Sequence, residues 1–280
     1  MPGDTLYKYL HPDRVDVVQH LRIRFTQVSA LNDPFEALPG IIQEDREWYL
    51  QRFSARVEAE IVRLGIASES KKKRHRRARK KDFNNFHKCY TDQDWLLKQS
   101  DYVQHMVDNL QGCLSLSATP TNILMWSHYC QHHTGFVMGF HSEHDYFGQS
   151  VRKVAYSDLR PSHNPLECEH SAEIFYTKSK DWSYEQEYRK FQSFVEPIEM
   201  PNGHKFIAFK NPDLKKGANP AVMLFPLPKQ SIKCLILGWK SSPELEQKLR
   251  LALKQHEIDE TPIYRAKPSS TRYEMEIVAT

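Results

Sequence analysis

The sequence predicts an α+β protein whose mixed or antiparallel sheets surround a cleft and whose chain is interrupted by a helical insertion. Short segments at both ends of the chain alternate apolar and polar residues, as half-buried strands do. Residues 43–110 instead repeat apolar residues at steps of three or four, which is typical of amphipathic helices. Strands and helices follow no regular βαβ order. We therefore expect one α+β domain over residues 1–280, with the insertion at 43–110.

The N-terminal part is expected to contain two strands joined by a short helix. The first strand, at residues 6–10, carries Tyr7 and Tyr9 on one face. The second, at residues 21–26, alternates apolar with charged side chains, so that Arg24 faces a cleft or solvent. An Asn-Asp-Pro turn follows, because proline restricts φ and the short polar side chains bond their own backbone.

The insertion is predicted to be helical because its apolar residues keep to one helical face. Between residues 43 and 64 they stand at Leu50, Phe53, Val57, Ile61 and Leu64. The same spacing recurs at Phe83, Phe86 and Tyr90, and again at Tyr102, Met106 and Leu110. A basic segment at residues 71–81 lies among these helices.

The rest of the chain is expected to return to strands, with two helices among them. The helices are predicted at residues 123–132, after a capping Thr121 or Asn122, and at 243–256. The strands are predicted at residues 112–117, 135–140, 151–156, 184–194, 205–209, 231–237 and 273–278. Gly135 and Gly139 in one of these strands allow another backbone to approach closely.

Composition argues against several classes of protein. No two of the 10 glycines stand as G-x-G and no phosphate-binding loop motif occurs, so a Rossmann dehydrogenase and a P-loop NTPase are excluded. Every apolar run is shorter than the ~20 residues that a membrane-spanning helix needs, and no membrane partner is expected. The five cysteines are widely spaced without a C-x-x-C pair, as expected for reduced thiols in a cytoplasmic protein.

The positive charge of the chain is concentrated in the basic segment. The chain has 39 basic and 35 acidic residues, but nine of the basic ones fall within residues 71–81. We expect this segment to bind nucleic-acid phosphates, with Phe83, Phe86 and His87 stacking on bases; the alternative is a solvated tip of the insertion. The candidate phosphate-binding residues are Lys72, Lys73, Arg74, Arg76, Arg77, Arg79 and Lys80.

Two glutamates and an arginine form the first candidate catalytic group. On a strand, Glu185, Glu187 and Arg189 point the same way. One carboxylate can stabilise a developing cation while the other positions or deprotonates a nucleophile, and the arginine favours ionisation of both. An exposed ladder of acidic and basic side chains is the alternative.

The predicted helix at 123–132 is a second candidate. His128 and His132 stand four residues apart, but neither the glutamate of the zinc motif nor a third ligand is indicated, so no metal site is predicted. We expect His128 or Tyr129 to line a cleft, while Trp126 packs against the sheet. A hydrogen-bonded histidine beside core aromatic residues is the alternative.

Two serines on one strand face are a third candidate. Ser115 and Ser117 alternate with two leucines, so their hydroxyls share one side of the strand. Such hydroxyls can hold a ribose or fix a catalytic side chain. No G-x-S-x-G motif surrounds either serine, which argues against a hydrolase nucleophile.

Five separated motifs together resemble a widespread prokaryotic family catalogued as a domain of unknown function. The resemblance runs from residue 6 to the C-terminus, but residues 44–109 carry none of its motifs. The motifs are LYKY at residues 6–9, LRIRFT at 21–26, NDPFE at 32–36, LMWSHY at 124–129 with HTGF at 133–136, and WSYEQEYR at 182–189.

The chain also bears a remoter resemblance to mono-ADP-ribosyltransferases. These enzymes hold NAD in a cleft between two small sheets without a glycine motif. They use an Arg or His on a first strand, an S-T-S-like strand and a Glu in an [E/Q]-x-E motif. In the same order this chain has Arg24 (or Tyr7 and Tyr9), Ser115-Leu116-Ser117 and Glu185-Gln186-Glu187, with Leu116 in place of the family's Thr.

This second resemblance implies a use of NAD as substrate and a role for each residue. Glu187 would stabilise the cation formed as the bond between nicotinamide and ribose breaks, and Glu185 would orient the attacking group. Arg24 would meet the pyrophosphate, and His128 would hydrogen-bond the ribose. The other implied NAD contacts are Ser115 or Ser117 at the nicotinamide, Tyr9 or Tyr129 stacked on its ring, and Tyr7, Trp126 and Arg189 around the site.

Three functions follow as hypotheses. The leading one is a cytoplasmic bacterial ADP-ribosyltransferase-like enzyme, a toxin or phage-defence effector acting on nucleic acid or protein, with an antitoxin or defence protein as partner. The second is a nuclease that uses Asp33, Glu36, Glu185, Glu187 and His128 around a divalent metal. The third is a non-catalytic module that binds nucleic acid through residues 71–81.

Overall fold

The structure, a computed structural model, describes residues 4–41, 46–90, 93–163, 172–199, 205–209 and 222–280. The chain divides into two units. The first comprises Met1–Glu36, Met106–Arg160 and Phe175–Thr280, and the second comprises Ala37–His105 and Pro161–Ile174.

The described residues form seven α-helices, sixteen strands and several short 3₁₀-helices. The α-helices are α1 (Asp16–His20), α2 (Arg46–Arg63), α3 (Glu69–Tyr90), α4 (Gln93–Leu110), α5 (Ile123–Tyr129), α6 (Glu173–Tyr176) and α7 (Pro243–Gln255). The first eight strands are β1 (Thr5–Leu10), β2 (Arg22–Phe25), β3 (Gly40–Ile41), β4 (Gln111–Ser117), β5 (Phe136–His141), β6 (Val151–Lys153), β7 (Ala155–Ser157) and β8 (Ser162–His163). The others are β9 (Thr177–Ser179), β10 (Glu187–Ser193), β11 (Val195–Glu199), β12 (Lys205–Phe209), β13 (Met223–Pro226), β14 (Ile232–Leu237), β15 (Ile263–Pro268) and β16 (Met275–Ala279).

Eight strands of the first unit form one mixed sheet in the order β16-β15-β14-β5-β1-β4-β10-β6. Neighbouring strands are antiparallel except β14 and β15, which run parallel. The predicted α+β class is therefore confirmed. The predicted alternation in β4 is confirmed too, since Leu114 and Leu116 enter the main hydrophobic core while Ser115 and Ser117 line a cavity.

The sheet opens between β1 and β4. Strand β1 pairs with β5 along all six of its residues, but with β4, which is also described in full, it pairs only at Tyr7 and Ser117. Further along, β4 forms a bridge to Thr26 instead. Between these two points the main-chain oxygen of Ser115 accepts a hydrogen bond from Nζ of Lys8 at 2.8 Å. A side chain thus satisfies a carbonyl that the opening removes from the ladder.

Hydrophobic side chains cover both faces of this sheet. The main cluster includes the leucines Leu245, Leu249 and Leu253 of α7, which confirms the helical stripe predicted there. A second cluster gathers Tyr9 and Trp126, whose rings meet edge to face with centroids 5.4 Å apart. The predicted packing of Trp126 on the sheet is confirmed by this contact.

Two glycines of the β5 region permit the close approach that was predicted. A Cβ atom at Gly135 would lie 2.2 Å from the main-chain oxygen of Leu10. A Cβ atom at Gly139 would lie 2.6 Å from Sγ of Cys234. Both distances are far below van der Waals contact. A larger residue at Gly135 would therefore displace the backbone of the neighbouring strand, whereas one at Gly139 would displace the Cys234 side chain.

The helical insertion is represented by α2, α3 and α4. The stripe predicted for α2 is confirmed in its centre, where Val57 and Ile61 are buried, but Leu64 lies beyond the helix end and is 51 % exposed. Phe83 of α3 is buried, with its ring 5.1 Å from that of Phe53. The side chains of Phe86, Tyr90, Tyr102 and Met106 lie outside the described residues.

Several predicted boundaries were wrong. The helix predicted to reach residue 132 ends at Tyr129, because residues 131–133 all have positive φ, between 44° and 70°. The strand predicted at 151–156 is two strands, β6 and β7, which pair with different neighbours. Strands β13 and β15 were not predicted, since each ends in a proline, which is unfavourable within a sheet. No described helix is both long enough and apolar enough to span a membrane.

Candidate functional site

A cavity of about 100 Å³ lies in the first unit, where the sheet opens between β1 and β4. It brings together most of the candidate residues that the sequence places far apart. The predicted site residues that line it are Tyr7, Tyr9, Ser115, Ser117, Tyr129, Glu185 and Glu187. The other lining residues include Lys8, Asn32, Glu36, Met125 and Lys178.

Arg189 is the centre of a buried ion-pair network beside this cavity. Its Nε and Nη2 donate to the two carboxylate oxygens of Glu187 at 2.8 and 2.9 Å. Its Nη1 and Nη2 donate to the oxygens of Glu36 at 2.5 and 2.9 Å. Only 1 % of Arg189 is exposed. Contrary to the prediction that it contacts a cofactor, its guanidinium is committed to holding two glutamates.

Glu187 is ionised although it is buried. Burial opposes ionisation, but Arg189 and Lys178 outweigh it and lower the pKa of Glu187 to about 2. Nζ of Lys178 lies 3.4 Å from a carboxylate oxygen of Glu187. The cavity is therefore lined by a carboxylate that keeps its negative charge throughout the physiological pH range.

Glu185 reaches the same cavity by a different backbone route from the one predicted. The strand predicted from residue 184 begins at Glu187, because residues 180–185 form a 3₁₀-helix and Gln186 is left-handed with φ of 46°. One oxygen of Glu185 accepts the hydroxyl of Tyr129 at 2.5 Å, and the other accepts Nζ of Lys178 at 2.6 Å. Lys178 therefore links the two glutamates through its ammonium group.

Three residues lie side by side across three neighbouring strands at the opening of the sheet. Tyr7 of β1 pairs with Ser117 of β4, and Ser117 pairs with Glu187 of β10. The hydroxyl of Ser117 donates to the main-chain oxygen of Glu185 at 2.7 Å. The serine thus fixes the turn that joins the two glutamates, and all three paired residues line the cavity.

Tyr129 is held between two polar partners. Its hydroxyl donates to Glu185 and accepts a hydrogen bond from Nδ2 of Asn32 at 2.5 Å. Burial, and then the charge of Glu185, raise the pKa of Tyr129, so the phenol stays protonated and remains a donor. The edge of the site is therefore hydrogen-bonded before any ligand arrives.

Some predicted site residues do not line the cavity. His128 is exposed, and its Nδ1 lies 3.2 Å from the hydroxyl of Tyr184. Arg24 lies on β2, which pairs with β13, and is not among the lining residues. Trp126 is fully buried behind Tyr9 and donates its indole N–H to the main-chain oxygen of Pro120 at 2.7 Å. None of these three residues lines the cavity.

The acidic residues considered for a metal centre already have protein partners. Asp33 accepts the backbone N–H of Phe35 at 2.9 Å, as a turn residue does. Glu36 is paired with Arg189. Among the described residues, no three histidine, cysteine, aspartate or glutamate side chains are grouped so as to hold a metal ion.

Sequence reasoning missed two cations of the site, Lys8 and Lys178. Lys178 lies on the three-residue strand β9, and only 6 % of it is exposed. Burial lowers the pKa of Lys8, which contacts a main-chain oxygen rather than a carboxylate. Neither lysine stands at a fixed spacing from the glutamates that would signal a pair, so tertiary contacts alone reveal them.

In the second unit, the basic segment belongs to α3, and part of it is paired with α2. Arg76 donates to both oxygens of Glu58 at 2.6 and 2.9 Å. Arg79 donates to both oxygens of Glu60 at 3.1 and 2.5 Å. Arg76 and Arg79, two of the seven predicted residues, therefore link the two helices of the pair.

Comparison with known proteins yields one match. Residues 125–190 match the family described as "Protein of unknown function (DUF2971)". This segment contains most of α5, both glutamates of the site and Arg189. No curated protein and no solved structure matches the chain. Residues 125–190 are therefore similar to a family whose function is unknown.

Proposed function

We propose that this protein transfers ADP-ribose from NAD and that Glu187 stabilises the reacting ribose. The observation that carries the proposal is the row of Tyr7, Ser117 and Glu187 on three neighbouring strands beside one cavity. The resemblance to mono-ADP-ribosyltransferases assigns these strands to the first-strand residue, the S-T-S-like segment and the glutamate. Residues far apart in sequence thus meet on neighbouring strands beside one cavity, which supports the proposal.

The opening of the sheet supports the same proposal. Because β1 and β4 separate beyond Tyr7 and Ser117, the cavity lies between strands instead of on a closed sheet face. A binding cleft of this kind needs no glycine-rich loop, which agrees with the lack of such a motif in the sequence. The role given to Arg24 at the pyrophosphate is not part of the proposal, since Arg24 does not line the cavity.

The state of Glu187 suits the chemistry. Breaking the bond between ribose and nicotinamide builds positive charge on the ribose, and a fixed carboxylate stabilises that charge. Glu187 lies on a strand, accepts hydrogen bonds from Nε and Nη2 of Arg189 and keeps its negative charge. It therefore needs no reorganisation as the cation forms, which is the condition for efficient electrostatic catalysis.

The cavity is too small to enclose the whole of NAD. At about 100 Å³ it is smaller than the ~300–1,000 Å³ of sites that enclose a whole small-molecule ligand. We assign it to the nicotinamide ring and its ribose, with Tyr7 and Tyr129 as the aromatic side chains beside the ring. The adenosine part would lie outside the cavity.

The proposed transfer breaks one bond at C1′ of the ribose and forms another. The bond between C1′ of the ribose and the nicotinamide nitrogen breaks, and nicotinamide leaves with the electron pair. A lone pair on the acceptor forms the new bond to C1′, and the acceptor loses its proton to Glu185 and then to water. Tyr129 and Lys178 position the Glu185 carboxylate for this step.

Two other functions make different predictions. A nuclease would cleave nucleic acid without NAD and would depend on a divalent metal. A non-catalytic module would give no chemical turnover and would be indifferent to Glu187→Gln. The buried ion pairs would then serve only to hold β10 in place.

The experiment that tests the proposal follows both halves of NAD. The protein is incubated with NAD labelled in the adenine part, and with RNA, DNA or a protein mixture as acceptor, while free nicotinamide is measured. We expect nicotinamide release and labelled acceptor from the wild type, and at least ~100-fold less from Glu187→Gln. Absence of nicotinamide release with every acceptor, or nucleic-acid cleavage without NAD, would overturn the proposal.

A further inference from the structure

Most cations of the basic segment lie on two sides of α3, and only one of these sides has acidic partners among the described residues. Successive residues of a helix are rotated by about 100°. Lys72, Arg76 and Arg79 fall on one side, where they pair with Glu69, Glu58 and Glu60 respectively. His75 is on this side as well, 3.3 Å from Glu60. This paired side faces α2.

The opposite side of α3 carries five exposed cations, and we call it the basic face. It consists of Lys73, Arg74, Arg77, Lys80 and Lys81, all exposed. Their spacing of three, four and seven residues keeps them within about a third of the helix circumference. None of the five forms an ion pair with any residue that the structure describes.

No acidic side chain in the described part of the chain compensates the self-repulsion on the basic face. Lys73, Arg77 and Lys81 stand four residues apart in succession, so like charges adjoin along the helix. The acidic side chains of α2 that could relieve this repulsion are bound to the paired side. The five cations are therefore exposed, have no ion-pair partner among the described residues and are arranged along one helix for binding a polyanion.

We propose that the basic face of α3 binds the phosphate backbone of a nucleic acid. From Lys73 to Lys81 the helix rises by about 12 Å, and a DNA duplex of that length carries about seven phosphate charges. Five cations in one row match this density of charge. The inference concerns the second unit alone and does not rest on the proposed transfer of ADP-ribose.

The structure also limits which features of a nucleic acid the basic face recognises. Phe83, expected to stack on bases, is only 1 % exposed and packs on Phe53. The described part of the basic face therefore offers charge without an aromatic platform. Binding through phosphates alone is largely independent of sequence and depends strongly on salt.

The test compares two triple variants with the same change in net charge. One removes Lys73, Arg77 and Lys80 by substitution with glutamine. The control substitutes Lys153, Lys254 and Lys267, which are exposed cations of the first unit. Affinity for labelled duplex DNA and single-stranded RNA is measured by fluorescence anisotropy between ~50 and 200 mM salt, and circular dichroism checks the helix content.

For duplex DNA, five contacts predict a slope of about −4.5 for log affinity against log salt. In the α3 variant the magnitude of this slope should fall by nearly 3, and the affinity for duplex DNA should fall at least 10-fold. The affinity of the control variant should stay within ~2-fold of that of the wild type. Equal loss in both variants would overturn the proposal, since binding would then follow net charge alone. Absence of wild-type binding at 50 mM salt, or binding to phosphatidylserine vesicles but not to nucleic acid, would also overturn it.

Discussion

The guanidinium of Arg189 binds both carboxylate oxygens of Glu187, through Nε at 2.8 Å and Nη2 at 2.9 Å, on the same strand. The two residues stand two positions apart, so the strand itself directs both side chains to one face. Glu36 binds the other side of the same guanidinium. This arrangement explains how a buried glutamate keeps its charge beside a cavity.

Replacement of Arg189 by lysine should destabilise the fold. Lysine keeps the charge but cannot donate in a fork to Glu187 and Glu36 together. We expect the free energy of unfolding to fall by about 3 kcal/mol, in the range found when a buried ion pair is broken. Urea unfolding measures this, with Arg250→Lys as the matched control. Arg250 is half-exposed and pairs with Glu246, so Arg250→Lys should lower the free energy of unfolding by less than about 1 kcal/mol. Equal effects of the two variants would mean that the buried network contributes little.

Stability should fall in acid through Glu187. The pKa of this carboxyl in the folded protein is about 2, against an ordinary value of 4.5. Its ionised form therefore stabilises the fold above pH 4.5, and this contribution, on the order of 3 kcal/mol, is lost as the pH falls toward 2. Unfolding by urea at several pH values between 6 and 2.5 measures the dependence. We expect the free energy of unfolding of Glu187→Gln to depend less on pH than that of the wild type. An unchanged pH dependence would show that the neighbours of Glu187 do not lower its pKa.

Removal of the Tyr129 hydroxyl should affect both the site and the fold. Tyr129→Phe deletes the hydrogen bond to Glu185 and leaves Asn32 without its acceptor. We expect a loss of about 1–2 kcal/mol in stability and roughly a 10-fold loss in nicotinamide release. Tyr264→Phe serves as the control, because no described partner bonds the Tyr264 hydroxyl. An unaffected rate in Tyr129→Phe would remove Tyr129 from the proposed site.

Two glycines should differ in the cost of a methyl group. At Gly135 an added Cβ would meet the oxygen of Leu10 at 2.2 Å, whereas at Gly65 it would meet no atom within 4 Å. Gly65 has φ of 62°, so alanine costs about 1 kcal/mol there through backbone strain alone. We expect Gly135→Ala to cost about 3 kcal/mol, because strands β1 and β5 must separate. Thermal unfolding measures both; similar costs would show that the strands can shift freely.

Local patterns in the sequence predicted those parts of the site that depend on one strand. The alternation of Leu114, Ser115, Leu116 and Ser117 has the period of a strand, and it was enough to place the serines opposite the core. The same rule placed Glu187 and Arg189 on one face. These predictions succeeded because the period of a strand is independent of what packs around it.

Contacts across the chain could not be predicted in the same way. Glu36 and Arg189 are 153 residues apart, and the turn around Asp33 explained the acidic motif without any reference to Arg189. Glu185 was expected on a strand because its segment alternates, yet the left-handed Gln186 ends a 3₁₀-helix there. In α3 the charge of the segment was evident, but its division into two sides required the positions of Glu58 and Glu60.

The most direct test of the central claim compares Glu187→Gln with Glu36→Gln in single-turnover release of nicotinamide from NAD. Both glutamates are buried, both bind Arg189 and both line the cavity, but only Glu187 is assigned to the reacting ribose. We predict that Glu187→Gln lowers the rate at least ~100-fold while Glu36→Gln stays within ~10-fold of the wild type, with both variants folded. Equal losses in the two variants, or full activity of Glu187→Gln, would contradict the assignment and leave the network a structural one.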